Sequence, residues 1–199
     1  MSDNREFDNR EFTAEDIRRL LTELGRRLHA EGIQATIYVV GGAAMALAVD
    51  RRRVTDDIDA IFDHKQTIEH EVAKMATEYG LRDRWLNDAA MSVPHRNEAG
   101  TLLEVPGLAI STASPRHLLA MKMAAFRPQD QQDLDILFRT VGISSPEEAV
   151  RTVFDVYGLD YAANFGPNED YVLRARAVLS RQKPAPPPGE AGPQTTGPP

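Results

Sequence analysis

Residues 57–60, DIDA, alternate a carboxylate with an apolar residue, and Ile61 and Phe62 extend the run. On a β-strand, residues i and i+2 share a face. Asp57 and Asp59 therefore stand on one side, about 6.6 Å apart along the strand at about 3.3 Å per residue. Ile58, Ala60 and Phe62 point to the other side and form a packing face. Acidic residues are poor strand formers, and a buried carboxylate is costly unless it is paired, hydrogen-bonded or metal-bound. One face of this strand thus belongs to a core, and the other must stand where two carboxylates are neutralised. Asp56 has the wrong parity for that face, and Asp63 lies past the strand end; both read as flanking residues.

Upstream, TIYVV (36–40) reads as a buried strand, Gly41-Gly42 breaks it, and AAMALAV (43–49) reads as a short, tightly packed helix. RRRVT (51–55) is a basic turn leading into the aspartate strand. Before this unit, Thr13 and Asp16 form a capping-box pattern. Ile17, Leu20, Leu21, Leu24 and Leu28 follow at helical spacing, and Gly32 ends the helix. After it come an amphipathic helix over 66–79, a weaker helix over 85–92 containing the only tryptophan, Trp85, and a hairpin. The hairpin pairs TLLEV (101–105) with LAIS (108–111) across Pro106-Gly107. Helices are expected over 116–126, 128–142, 144–158 and 168–180. The order predicts an α+β fold: a small mixed sheet flanked by helices, with a helical C-terminal part. We divide the chain into a flexible lead-in (1–12, with DNREF twice in tandem), an α/β core (13–112), a helical part (113–182) and a disordered Pro/Gly-rich tail (183–199).

The 199 residues suffice for one domain with a proper core. No cysteine is present, which excludes disulfides, zinc–thiolate sites and thiol catalysis. No apolar run approaches the roughly 20 residues of a membrane helix, and the polar, acidic N-terminus is unlike a secretory signal. We expect a cytoplasmic protein with no membrane partner. The formal net charge of −7 argues against a general nucleic-acid-coating protein but leaves room for a local basic patch.

Two close carboxylates repel unless something positive lies between them. A hard divalent cation is the natural partner, and Mg²⁺ prefers oxygen ligands while keeping positions open for phosphates. Taken alone, Asp-x-Asp also fits a charged edge strand, and a Gly pair also fits a tight strand–helix turn. Together they suit a triphosphate. Glycine lets the backbone approach a ligand, a helix N-terminus attracts phosphate, and the aspartates hold the metal. Lys122, inside LLAMKMAAF, either snorkels to solvent or offsets triphosphate charge.

VVGGAAM followed by RRVTDDIDAIF resembles the core of the polymerase-β-type nucleotidyltransferase superfamily. There, a G-G or G-S turn opens a helix and a D-x-D on the next strand binds Mg²⁺. RVTDDID matches the R-x-T-x-D-x-D pattern of the branch holding abortive-infection and toxin nucleotidyltransferases, the AbiEii group and its relatives; Arg53, Thr55, Asp57 and Asp59 fill its four positions. LLAMKMAAFRPQDQQDLDIL resembles that branch's second half through Lys122, Ala125 and Asp133. The resemblance covers roughly residues 36–140. It implies a Mg²⁺-dependent transfer of a nucleoside monophosphate from an NTP to an acceptor, with Asp57, Asp59, Lys122 and Asp133 as catalytic residues. Gly41, Gly42, Arg53 and Thr55 would bind nucleotide. Many members use a third carboxylate, for which Glu104 is the candidate, although a solvent-facing hairpin glutamate fits as well. The implied acceptor is RNA, such as a tRNA end, or a protein, in a toxin–antitoxin system with an antitoxin partner. A small-molecule acceptor is a third option, and the alternative is a catalytically inactive nucleotide-binding or interaction module on the same fold.

Overall fold

The computed structural model describes residues 11–88, 99–158, 162, 164 and 166–182. Helix α1 (Ala14–Ala30) starts at the expected capping box: Asp16 N donates to Thr13 Oγ1 at 3.2 Å, and Thr13 N donates to Asp16 Oδ2 at 3.0 Å. Strand β1 (Ala35–Val39) runs into α2 (Gly41–Ala48), which begins at the Gly pair itself. Next come β2 (Ile58–Phe62), α3 (Lys65–Tyr79), β3 (Leu86–Asn87), β4 (Ala99–Val105) and β5 (Leu108–Ala113). The rest is helical: α4 (Pro115–Ala125), a 3-10 turn (Pro128–Asp130), α5 (Gln131–Val141), α6 (Pro146–Tyr157) and α7 (Asn168–Gln182).

The five strands form one mixed sheet in the order β3-β2-β1-β5-β4. β1 pairs antiparallel with β2 and parallel with β5. Residues paired across neighbouring strands share a face, so the register sorts the side chains. Ile37, Phe62 and Ile110 lie on one face and Tyr38, Ile61 and Ser111 on the other. The first face carries most of the sheet's buried apolar residues, among them Val39, Ile58, Ala60 and Leu108. It packs against α1, whose Leu20, Leu21, Leu24 and Leu28 are all buried.

The second face carries α4. Tyr38 reaches from β1 to His117 on α4, hydroxyl to Nδ1, at 2.7 Å. Helix α4 also packs on α2, α5, α6 and α7 around Leu118, Leu119 and Met123. Arg174 of α7 donates to the carbonyls of Met123 and Ala124 at the end of α4, at 2.9 and 3.0 Å. The helical part is thereby fixed over the sheet face that bears the aspartates.

Two expected elements differ. No helix starts at Trp85: Trp85 leads into β3, and its carbonyl accepts from Ile58 N at 2.7 Å. Its indole is fully buried, with Nε1 donating to the Val72 carbonyl at 3.1 Å, so sheet pairing and burial override the local pattern. Residues 89–92 of that expected helix lie outside the described residues, as do the tail from 183 and most of the tandem DNREF. The helix expected over 128–142 splits at Asp130 into a 3-10 turn and α5. The last residue of the tandem, Phe12, is buried and forms an isolated bridge to Thr55, with N–H to carbonyl distances of 2.6 and 3.1 Å.

Candidate active site

The site forms where β1 ends and β2 begins. Val40 N donates to the Asp59 carbonyl at 2.9 Å, which locks the Gly turn beside the second aspartate. Gly41 has φ +61°, a conformation that L side chains rarely adopt, and a Cβ there would stand 3.1 Å from Asp59 Oδ2. At Gly42 a Cβ would meet Thr55 Oγ1 at 2.6 Å. The Gly pair is therefore required by the close approach of Asp59 and Thr55. Helix α2 starts here with Val40 as N-cap, which supplies no side-chain cap, and with no acidic residue in the first turn. A helix N-terminus of this kind favours an anion.

Ile58 and Ala60 are fully buried, whereas Asp57 and Asp59 are half-buried, so the expected parity is what the strand displays. Asp57 lies just before β2 and Asp59 within it. Both belong to the face shared with Tyr38, Ile61 and α4. The Asp57 carboxyl is pushed above its ordinary value, first by burial and then by the negative charge of Asp59 and Asp56. Asn87 Nδ2, donating to Asp57 Oδ2 at 3.3 Å, and the Arg82 charge pull the other way. A repelling, half-buried carboxylate pair of this kind fits a hard divalent cation that completes its shell with substrate phosphates and water. Among the described residues, no group of three or more His, Asp or Glu side chains comes together in a metal-binding arrangement.

The other aspartates of the segment have local partners. Asp56 pairs with Arg82 at 2.7 Å. Asp63 accepts from Thr36 N and Oγ1 at 2.8 and 2.9 Å, fastening the far end of the β1–β2 pair.

Lys122, Asp133 and Arg53 come together. Lys122 Nζ lies 2.7 Å from Asp130 Oδ1 and 2.8 Å from Asp133 Oδ2, and all three residues are buried. Arg53 Nε donates to Asp133 Oδ1 at 3.1 Å, while its Nη1 donates to the Val54 carbonyl. Asp133 thus joins α4, α5 and the turn before Asp57. Lys122 does not snorkel to solvent; it is clamped between two carboxylates of the next helical segment. Thr55 is placed by its bridge to Phe12 and by its contact distance to Gly42.

Glu104 is placed elsewhere. Its register partner is Ala109, which pairs with Thr36 near the start of β1, whereas Asp59 lies level with Val40 just past the end of β1. Four residues, or about 13 Å along the strand, separate the two levels. In addition, β4 is the edge strand three places from β2. Glu104 is exposed and is not a third ligand of this pair. The residue standing there is Asn87, the register partner of Asp59, which sequence reasoning missed. Its place depends on a two-residue strand paired across a long sequence separation, and no local pattern marks it.

A family model described as nucleotidyltransferase of unknown function (DUF6036) matches residues 16–139. The chain belongs to this family. The matched stretch includes the Gly pair, both aspartates, Asn87, Lys122 and Asp133, and it stops within α5, before α6 and α7. No curated protein matches the sequence. Among solved structures, the chain is similar to an antigenic nucleotidyltransferase-like protein from Paracoccidioides brasiliensis. The two share 14% identity at a TM-score of 0.41, over 87% of this chain and 91% of that one.

Proposed function

We propose that the protein is a Mg²⁺-dependent nucleotidyltransferase that moves a nucleoside monophosphate from an NTP onto an acceptor hydroxyl. The observation that carries this reading is the close approach of Asp59 to the Gly41-Gly42 turn at the uncapped start of α2, with Asp57 on the same face of the strand. The acceptor oxygen attacks the α-phosphorus, the bond from that phosphorus to the bridging oxygen breaks, and pyrophosphate leaves as the hydroxyl proton is released. Asp57 and Asp59 would hold Mg²⁺, which supplies charge neutralisation at the phosphates. The backbone of Gly41 and Gly42 orients the phosphates against the start of α2. Arg53 is anchored by Asp133 beside the aspartate strand, where a guanidinium suits phosphate. Lys122 is held by Asp130 and Asp133, so its part is to fix Asp133 and, through it, Arg53.

The acceptor reading rests on the resemblance of the R-x-T-x-D-x-D motif to that of toxin-type and abortive-infection enzymes. We infer RNA, such as a tRNA end, or a partner protein as acceptor, within a toxin–antitoxin pair in the cytoplasm. Incubation with labelled NTPs, Mg²⁺ and either bulk RNA or cell extract tests both. Wild type is expected to label an RNA or protein band that Asp57→Ala and Asp59→Ala do not. If wild type labels nothing beyond those variants, the reading as a transferase acting on RNA or protein fails.

A further inference from the structure

Among the described residues, Asn87 both pairs in register with Asp59 and donates a hydrogen bond to Asp57. It is buried at the start of the sheet's edge, and Ile58, between the two aspartates, is tied to the same segment through the Trp85 carbonyl at 2.7 Å. The anchor behind it is rigid: Trp85 is fully buried and its indole donates to α3. An amide fixed there does two things. It aims one oxygen of Asp57 by donating to it, and it adds no charge beside two carboxylates that already repel. The other nearby carboxylate, Asp56, is taken up by Arg82.

From this we propose that Asn87 is a positioning residue of the cation site, holding Asp57 in place and limiting the protein's own ligands to a two-carboxylate set for one divalent ion. The inference rests on the metal reading of Asp57 and Asp59 given above. A partner that orients a carboxylate ligand commonly contributes tenfold or more to metal affinity. With only two carboxylates, the protein alone holds a single ion weakly, and the remaining ligands come from the nucleotide.

The test titrates the full chain with Mn²⁺ alone, following free Mn²⁺ by electron paramagnetic resonance, and repeats thermal melts with and without Mn²⁺. Wild type is expected to bind one Mn²⁺. Asn87→Ala is expected to bind about tenfold more weakly. Asn87→Asp, nearly isosteric, is expected to melt lower than wild type without metal, to bind Mn²⁺ more tightly, and to gain more in Tm from it. Should Asn87→Ala fail to fold, Asn87→Asp decides alone. Should Asn87→Asp fold only with Mn²⁺, that rescue supports the proposal. If both Asn87 variants bind Mn²⁺ as wild type does while Asp59→Ala loses binding, Asn87 has no positioning role and only this inference falls. If Asp59→Ala binds as wild type does, the metal reading of the pair fails, and this inference with it.

Discussion

Asp57 shows at the scale of one residue what the site costs the fold. Its carboxyl lies above the ordinary value of 3.8, because burial and the neighbouring charges of Asp59 and Asp56 disfavour the anion. A carboxyl whose folded-state pKa is raised binds its proton more tightly in the native state. The native state therefore loses stability as pH rises from the ordinary value through the raised one, and it carries the full penalty at neutral pH. Asp57→Asn removes that penalty. We expect the variant to melt above wild type at pH 7, with the difference closing below pH 4, where both side chains are neutral. Mg²⁺ should raise the Tm of wild type and leave the variant unmoved, and the variant should lose nucleotidyl transfer. An Asp57→Asn protein less stable than wild type at pH 7 would show that the carboxylate is already neutralised by protein groups. The pair would then have no need of a cation.

Between elements, the sheet's packed face is secured by a clamp from α1 to α3. Arg27 bonds Glu23 on its own helix and Glu78 on α3, and Arg26 doubles the bond to Glu23. These guanidinium bonds, led by that of Arg26, hold the Glu23 carboxyl at about 2 against an ordinary 4.5. A depressed carboxyl contributes stability that is present above its ordinary pKa and is lost as pH falls through the folded one. Glu23→Gln should therefore melt about 2–4 °C below wild type at pH 7, the scale of about 1 kcal/mol in a chain of this size. The gap should shrink from about pH 4.5 and vanish below about pH 2; a gap independent of pH would mean the loss is one of packing, not charge. Glu23 lies on a helix that was fully legible in sequence, because its cap and its apolar spacing are local. The same holds for the Gly turn and for the parity of Asp57 and Asp59. What could not be read was fixed by long-range pairing. Asn87 and Trp85 lie where β3 meets β2, and the hairpin's distance from the site follows from strand order, so Glu104 could be neither placed nor excluded until the register was known.

At the scale of the whole molecule, the sheet and the helical part meet in a buried ionic joint. Asp133 on α5 touches Lys122 on α4 and Arg53 in the turn ahead of Asp57, and its side chain is 2% exposed. Two cations share this carboxylate, while Asp130 serves only one of them. Removing one partner of a buried ion pair leaves charge uncompensated, at about 3–5 kcal/mol. Asp133→Ala should cost that much, read as the shift in urea midpoint at unchanged m-value. Asp130→Ala, which leaves Lys122 its bond to Asp133, should cost less. The joint also links stability to the site, since Arg53 is fixed by Asp133 at one end and by the Val54 carbonyl at the other. Arg53→Ala should therefore weaken nucleotide binding with little loss of stability, because Arg53 is one-third exposed and Lys122 remains to pair Asp133. In the Asp133→Ala background, freeing Arg53 has already occurred, so the second substitution should add less than it does alone. A double-mutant cycle reads this directly. Strict additivity of the two effects on nucleotide affinity would mean that Arg53 reaches the phosphates without help from α5, and that the helical part does no more than cover the sheet.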